Sequence, residues 1–197
     1  MSAQIRSVRA KDSKPPLVVL TVACEDIIIK YTVTEGTYRN IGCPLSGEEI
    51  DEDALEIIAS EDEYRRALAK ALSLISYSDK TERVLYSRLI ASGFCKNAAS
   101  AAVKECVMLG YVNEERQIEH LIYKYYRALE GPSKILMRLA SRGYSGKDAR
   151  AVLTRMRDAG ELDFKASKKM LLDKKYPDGA TPEEIKKLLY KYGYGHG

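Results

Sequence analysis

The chain has 197 residues, 45% of them hydrophobic, and a net charge of +4; that suits one large domain or a few small units with a real core. No run approaches the roughly 18 apolar residues of a membrane span, and the start, MSAQIRSVRAKDSKPP, has no apolar core of a secretory signal. A cytoplasmic chain without a membrane partner is therefore expected. Charge is uneven: residues 1–63 carry 6 Lys/Arg against 13 Asp/Glu, and residues 64–197 carry 26 against 15. An acidic head thus precedes a basic body, which suits nucleic acid or an acidic protein surface, or is simply a solvated helical surface.

The first fifteen residues are polar and are expected to be loose. Leu17–Ala23 and Ile27–Val33 are β-branched-rich runs separated by Cys24-Glu25-Asp26, and Thr37–Ile41 follows a break at Thr34-Glu35-Gly36. This predicts a small antiparallel meander whose face needs a cover. Glu48–Ile58 reads as a short acidic helix. The four cysteines, Cys24, Cys43, Cys95 and Cys106, form no CxxC pair and read as buried thiols.

From Glu61 the apolar spacing turns helical, with Tyr64, Leu68, Ala71, Leu72 and Ile75 on one face. Ser76-Tyr77-Ser78 ends that helix, and Asp79 to Glu82 suggests a capping box for the next. A repeat then takes over. At an offset of fifty, Leu85, Arg88, Leu89, Gly93 and Phe94 meet Ile135, Arg138, Leu139, Gly143 and Tyr144. The register holds through Gly110 with Gly160, and through Leu121 and Tyr126 with Leu171 and Tyr176. Fifty residues further, Pro182, Ile185, Leu189, Gly193 and Tyr194 repeat the start.

Each copy predicts three short helices. The first ends at a glycine, where positive φ is cheap, and an aromatic follows it. The second ends at Gly110 or Gly160, and Asn113 or Asp163 caps the third. The third copy stops after one helix, so either the protein ends early or the chain has been shortened. The expected fold is mainly α: tandem three-helix repeats with a period of about fifty residues and a truncated last copy, behind a small β-meander and helix extension. The expected division is 1–60, 61–128 with its lead-in helix, 129–178 and 179–197.

No phosphate-binding glycine motif, nucleophile triad or metal-ligand spacing is present, so no catalytic, cofactor or metal residue is assigned. Of the two histidines, His120 reads as a surface residue and His196 lies in a glycine-rich tail. Fourteen tyrosines stand against two phenylalanines and no tryptophan. Tyr123, Tyr125, Tyr126, Tyr144, Tyr176, Tyr190, Tyr192 and Tyr194 lie among the basic residues, where they can stack on bases, serve an interface or belong to the core. Lys134, Arg138 and Arg142 fall at i, i+4 and i+8 on one helix. Lys168, Lys169, Lys174 and Lys175 follow, and Arg88 adds to them from the first copy. These eight are the candidate partner- or DNA-binding residues, against the alternative of a face painted with lysine for solubility.

Gly131-Pro132-Ser133-Lys134-Ile135, Leu139 and Arg142-Gly143-Tyr144 resemble the "G-x-x-K/R-I-x-x-x-L-x-x-K/R-G-I/F" signature of the RecX family. Thr81-Glu82, Leu85, Leu89 and Gly93-Phe94 resemble that family's first unit. Gly110-Tyr111-Val112-Asn113-Glu114 is similar to its "G-Y-L-D-D". The acidic head looks like an extension that some members carry. The chain departs from the pattern at Gln117-Ile118, where Phe-Ala is usual, at Ser78, where Arg is frequent, and in its short third unit.

The resemblance implies a non-enzymatic regulator of the RecA recombinase in recombination, DNA repair and the SOS response; a monomer is expected, though the sequence does not decide it. It would lie along the RecA–DNA filament and slow ATP hydrolysis and strand exchange. Direct, sequence-independent binding to single- or double-stranded DNA is a second reading, and a plain protein scaffold a third.

Overall fold

The computed structural model describes residues 3–25 and 27–195. The chain divides into two compact units, one of Met1–Ser78 with Leu85–Tyr111 and one of Asp79–Val84 with Val112–Gly197.

The first unit opens with strands β1 (Ala3–Lys11), β2 (Leu17–Cys24) and β3 (Ile27–Thr34), and β4 (Glu49–Ile50) completes a four-stranded antiparallel sheet in the order β3-β2-β1-β4. Three expectations are corrected here. The opening segment is not loose over residues 3–11, because β1 is an inner strand that pairs with both β2 and β4. Only Ala3 and Ile5 of it are buried, and an irregularity between Ile5 and Ser7 breaks the alternation that would have announced it. Thr37–Ile41 is not a strand: Thr34 accepts the Thr37 N–H and starts helix α1 (Glu35–Asn40). The acidic segment is no separate helix either. Glu49 and Ile50 pair with β1, and Asp51 then caps α2 (Glu52–Tyr77), 26 residues without a break.

Helix α2 serves two cores. Its first turns bury Ile58 on the sheet face made by Ile5, Val18, Leu20, Val22 and Val33. Its second half buries Ala67 and Ala71 and packs on α4 (Lys96–Met108), whose own buried stripe is Ala98, Ala99, Ala102, Val103 and Cys106. Small residues on both helices let the backbones approach closely. The cysteines are free thiols, but only Cys106 is buried; Cys24 is half-buried, and Cys43 and Cys95 are exposed, so the buried-thiol reading is corrected.

The repeat is borne out in full register. Helices α3 (Glu82–Ala91), α6 (Pro132–Ser141) and α9 (Pro182–Tyr192) begin at 82, 132 and 182. Helices α4 and α7 (Gly146–Asp158) begin at 96 and 146, and α5 (Glu114–Arg127) and α8 (Phe164–Lys175) at 114 and 164. Asn113 and Asp163 cap α5 and α8 as expected. The residue capping α3 is Thr81, whose hydroxyl accepts the Val84 N–H at 3.2 Å, rather than Asp79. The core of the second unit is Ile118, Leu121, Ile122, Ile135, Leu139, Val152, Leu153 and Met156 with Tyr125 and Tyr144. Full burial of side chains such as Ile135 and Leu139 stabilises by about 1.5–3 kcal/mol each.

One junction occurs twice in this unit. Gly143 at the end of α6 lies against Thr81 and Val84 at the start of α3. Fifty residues on, Gly193 at the end of α9 lies against Lys134 at the start of α6. The following tyrosines also correspond. Tyr144 is buried and donates to Gln117 Oε1 at 2.9 Å, and Tyr194 is buried with its hydroxyl 2.7 Å from Ser167 Oγ. Gln117 and Ser167 are themselves fifty apart. The aromatic after the glycine is therefore the plug that one repeat inserts into the one before it.

Burial pushes the Tyr144 phenol up to about 12, with the nearby Asp79 and Glu114 carboxylates acting in the same direction. The unfolded phenol titrates near 10. Because the folded value is the higher, the stabilisation is complete below about pH 10 and is lost between about 10 and 12, by at most about 3 kcal/mol. Urea unfolding of Tyr144→Phe is expected to show about 1 kcal/mol lost at pH 7, where Gln117 loses its donor, and a shallower alkaline fall than the parent chain.

Candidate partner interface

The candidate residues differ in what they already hold. Leu129, at φ 59°, turns the chain out of α5, and the next residue, Glu130, is buried at 5% exposure just before the proline that begins α6. A buried carboxylate requires compensation. It comes from the basic stripe: Arg138 reaches Glu130 Oε1 at 2.7 Å and Lys134 at 3.4 Å. The same two cations lie over aromatic rings, Lys134 5.0 Å from the centroid of Tyr192 and Arg138 5.1 Å from that of Tyr125. The bond to Glu130 raises the Arg138 guanidinium above its usual range. Two members of the stripe thus neutralise an interior charge, while Arg142, one turn on, is exposed.

On α8, Lys169, Lys174 and Lys175 are exposed and Lys168 is half-buried. Arg88 is exposed on α3, in the other compact unit. The second unit thus gathers seven of the eight candidates, and five of these, Arg142 and the four α8 lysines, make no ion pair among the described residues. Sequence reading missed Glu130. Its signal was present, an acid four residues before Lys134 and eight before Arg138, but nothing in the spacing says that the acid is buried. On the surface, Arg155 of α7 also pairs with Glu119 and Glu115 of α5, neither of them buried.

The tyrosines divide in favour of the core. Tyr125, Tyr144 and Tyr194 are buried, and Tyr123, Tyr126, Tyr176 and Tyr192 are half-buried. Tyr126 bonds the Asp163 backbone and meets the Phe164 ring edge-on. Of the eight, Tyr190 alone is exposed, at 78%. His120 lies on the surface of α5 as expected, whereas His196 is outside the described residues. Among the described residues no helix is long and apolar enough to cross a membrane.

No family model matches the chain. A curated protein named Regulatory protein RecX, from Clostridium tetani (strain Massachusetts / E88), is 27% identical over 145 residues, which cover 73% of this chain and 65% of that protein. The match therefore spans a little under two-thirds of that relative's length. A crystal structure of regulatory protein RecX superimposes with a TM-score of 0.68 at 18% identity, covering 99% of this chain and 95% of the other. RecX from Lactobacillus salivarius gives 0.43 at 14% identity, covering 67% and 97%. The fold is that of the first of these structures, and the sequence similarity points the same way as the motifs. In sequence this chain is similar to one RecX protein, and its fold is similar to a RecX crystal structure.

Proposed function

We propose that the chain is a non-enzymatic cytoplasmic regulator that binds the RecA–DNA filament and slows ATP hydrolysis and strand exchange in recombination and repair. The observation that carries this reading is the set of cations on the RecX-like repeats that make no ion pair among the described residues, Arg142 on α6 and Lys168, Lys169, Lys174 and Lys175 on α8, all but the half-buried Lys168 exposed. Each such contact is weak, but several made at once along a repetitive partner add through high effective concentration. Arg88, exposed on α3 in the other compact unit, is included on its charge alone. Lys134 and Arg138 contribute through the charge left over after Glu130 is neutralised.

The test is the affinity of the chain for a RecA filament assembled on single-stranded DNA. Lys169→Glu, Lys174→Glu and Lys175→Glu together are expected to weaken binding at least tenfold while leaving the unfolding midpoint in place. Unchanged affinity overturns the assignment of α8. Tight, salt-dependent binding of bare DNA by a chain that ignores the filament overturns the filament reading itself and leaves a DNA-binding repeat protein.

A further inference from the structure

Strand β3 is an edge of the sheet, and α2 protects only half of that edge. The outward backbone N–H of Thr32 donates to Asp62 Oδ1 at 2.8 Å, and that of Thr34 donates to Glu61 Oε1 at 2.6 Å. Two carboxylates of one helix thus stand in for a neighbouring strand. Outward amides recur every second residue along an antiparallel edge, so those of Ile28 and Lys30 point the same way. Among the described residues no side chain meets them.

The unprotected half is also apolar, with Ile27 at 63% exposure, Ile28 at 67% and Ile29 at 38%. Beside it runs a groove of about 560 Å³ between β3 and α2, lined by Ile29, Lys30, Tyr31, Arg65 and Arg66 among others. A long, apolar, uncovered edge is what folded proteins ordinarily blunt, and here a charged groove accompanies it.

Charge indicates the occupant. The groove's acid is turned inward and already bonded: the Asp62 side chain is 9% exposed and holds Arg66 at 2.8 Å as well as the Thr32 amide. Two of its cations face out, with the Arg66 side chain 64% exposed and Lys30 exposed, while Arg65 is 25% exposed and pairs with Glu61 at 3.7 Å. The head is acidic as a whole, yet what this groove presents to solvent is positive. A second copy of β3 would bring another lysine and no acid between Ile27 and Thr34, so like charge opposes self-pairing.

We infer that β3 is a strand-addition site for an extended segment of a partner protein in which apolar and acidic residues alternate. The segment pairs with the free amides and carbonyls of Ile28 and Lys30, covers Ile27 and Ile29 with its apolar face and sets its carboxylates beside Lys30 on the other. Main-chain bonds supply affinity and the alternating side chains supply selectivity. The inference concerns the first compact unit and is independent of the basic residues of the second.

The experiment is amide hydrogen exchange on the full chain with a synthetic probe peptide of alternating valine and glutamate, and a second peptide with lysine in place of glutamate. The glutamate peptide is expected to slow exchange at Ile28 and Lys30 by at least tenfold and to leave Thr32 and Thr34 unchanged, since α2 already bonds them. Ile28→Pro removes an outward N–H without taking a bond from the sheet, and is expected to abolish the protection. Lys30→Glu is expected to weaken binding several-fold. No slowing at millimolar peptide, or equal slowing by the lysine peptide, overturns the site. A dimer in sedimentation that Ile28→Pro dissociates also overturns it, by giving the edge to a second copy.

Discussion

Replacing Lys134 and Arg138 together by glutamate is expected to destabilise the second unit by about 3–5 kcal/mol, the cost of leaving a buried charge without its partners. Glu130 is buried, and both Lys134 and Arg138 pair with its Oε1. One of its oxygens, Oε2, already lacks a partner, so the group has no reserve. Arg138→Ala alone leaves Lys134 in place and is expected to cost about 1–2 kcal/mol. Adding Glu130→Gln to the double reversal removes the interior charge and is expected to recover at least half of the loss. Urea unfolding followed by circular dichroism reads all three. If the double reversal costs no more than a comparable reversal at Lys174 and Lys175, Glu130 is not compensated as described. The same physics bears on function: loss of partner binding after reversing the whole Lys134, Arg138, Arg142 stripe would report unfolding, so Arg142 is the member that can be reversed informatively.

Gly131→Ala is expected to cost about 2–3 kcal/mol and to detach α9 from α6. A Cβ on Gly131 would stand 2.5 Å from the Gly193 carbonyl oxygen and 2.7 Å from the Tyr194 nitrogen. Both are backbone atoms that cannot swing aside, and overpacking of this kind costs about 1–3 kcal/mol. The clash also pulls on two bonds that tie the repeats, Gly131 N–H to Tyr192 O at 2.7 Å and Ser133 N–H to Gly193 O at 3.2 Å. Gly131 has an ordinary φ of −80°, so the demand is close approach and not conformation. Gly93 is the opposite case: its φ is +90° and nothing lies within 4 Å of a Cβ there. Gly93→Ala is therefore expected to cost about 1–2 kcal/mol from backbone strain alone. Hydrogen exchange across α9 separates the two, because only the Gly131 substitution should expose that helix. Equal exchange in both variants would mean that the junction is not what holds α9.

The repeat was legible because its demands are local. Gly93, Gly143 and Gly193 mark positive-φ helix ends, and Asn113 and Asp163 mark caps; both leave a trace at fixed spacing. The errors lie in the head, where pairing partners are distant in sequence. Residues 3–11 look polar because only Ala3 and Ile5 are buried, and Thr37–Ile41 looks extended until the Thr34 hydroxyl starts a helix. Of the candidate surface, the positive charge was readable, but its commitment was not. Lys134 and Lys169 are the same residue type on two helices of one repeat, yet one neutralises Glu130 and the other faces solvent. That difference depends on where a single turn at Leu129 places the acid.

The most direct measurement is ATP hydrolysis by the cognate RecA recombinase on single-stranded DNA, with the full chain titrated in. A fall in rate at substoichiometric amounts is expected, and a weaker fall with Lys169→Glu, Lys174→Glu and Lys175→Glu together. A rate that stays constant up to stoichiometric chain would contradict the filament assignment, whatever the likeness of fold.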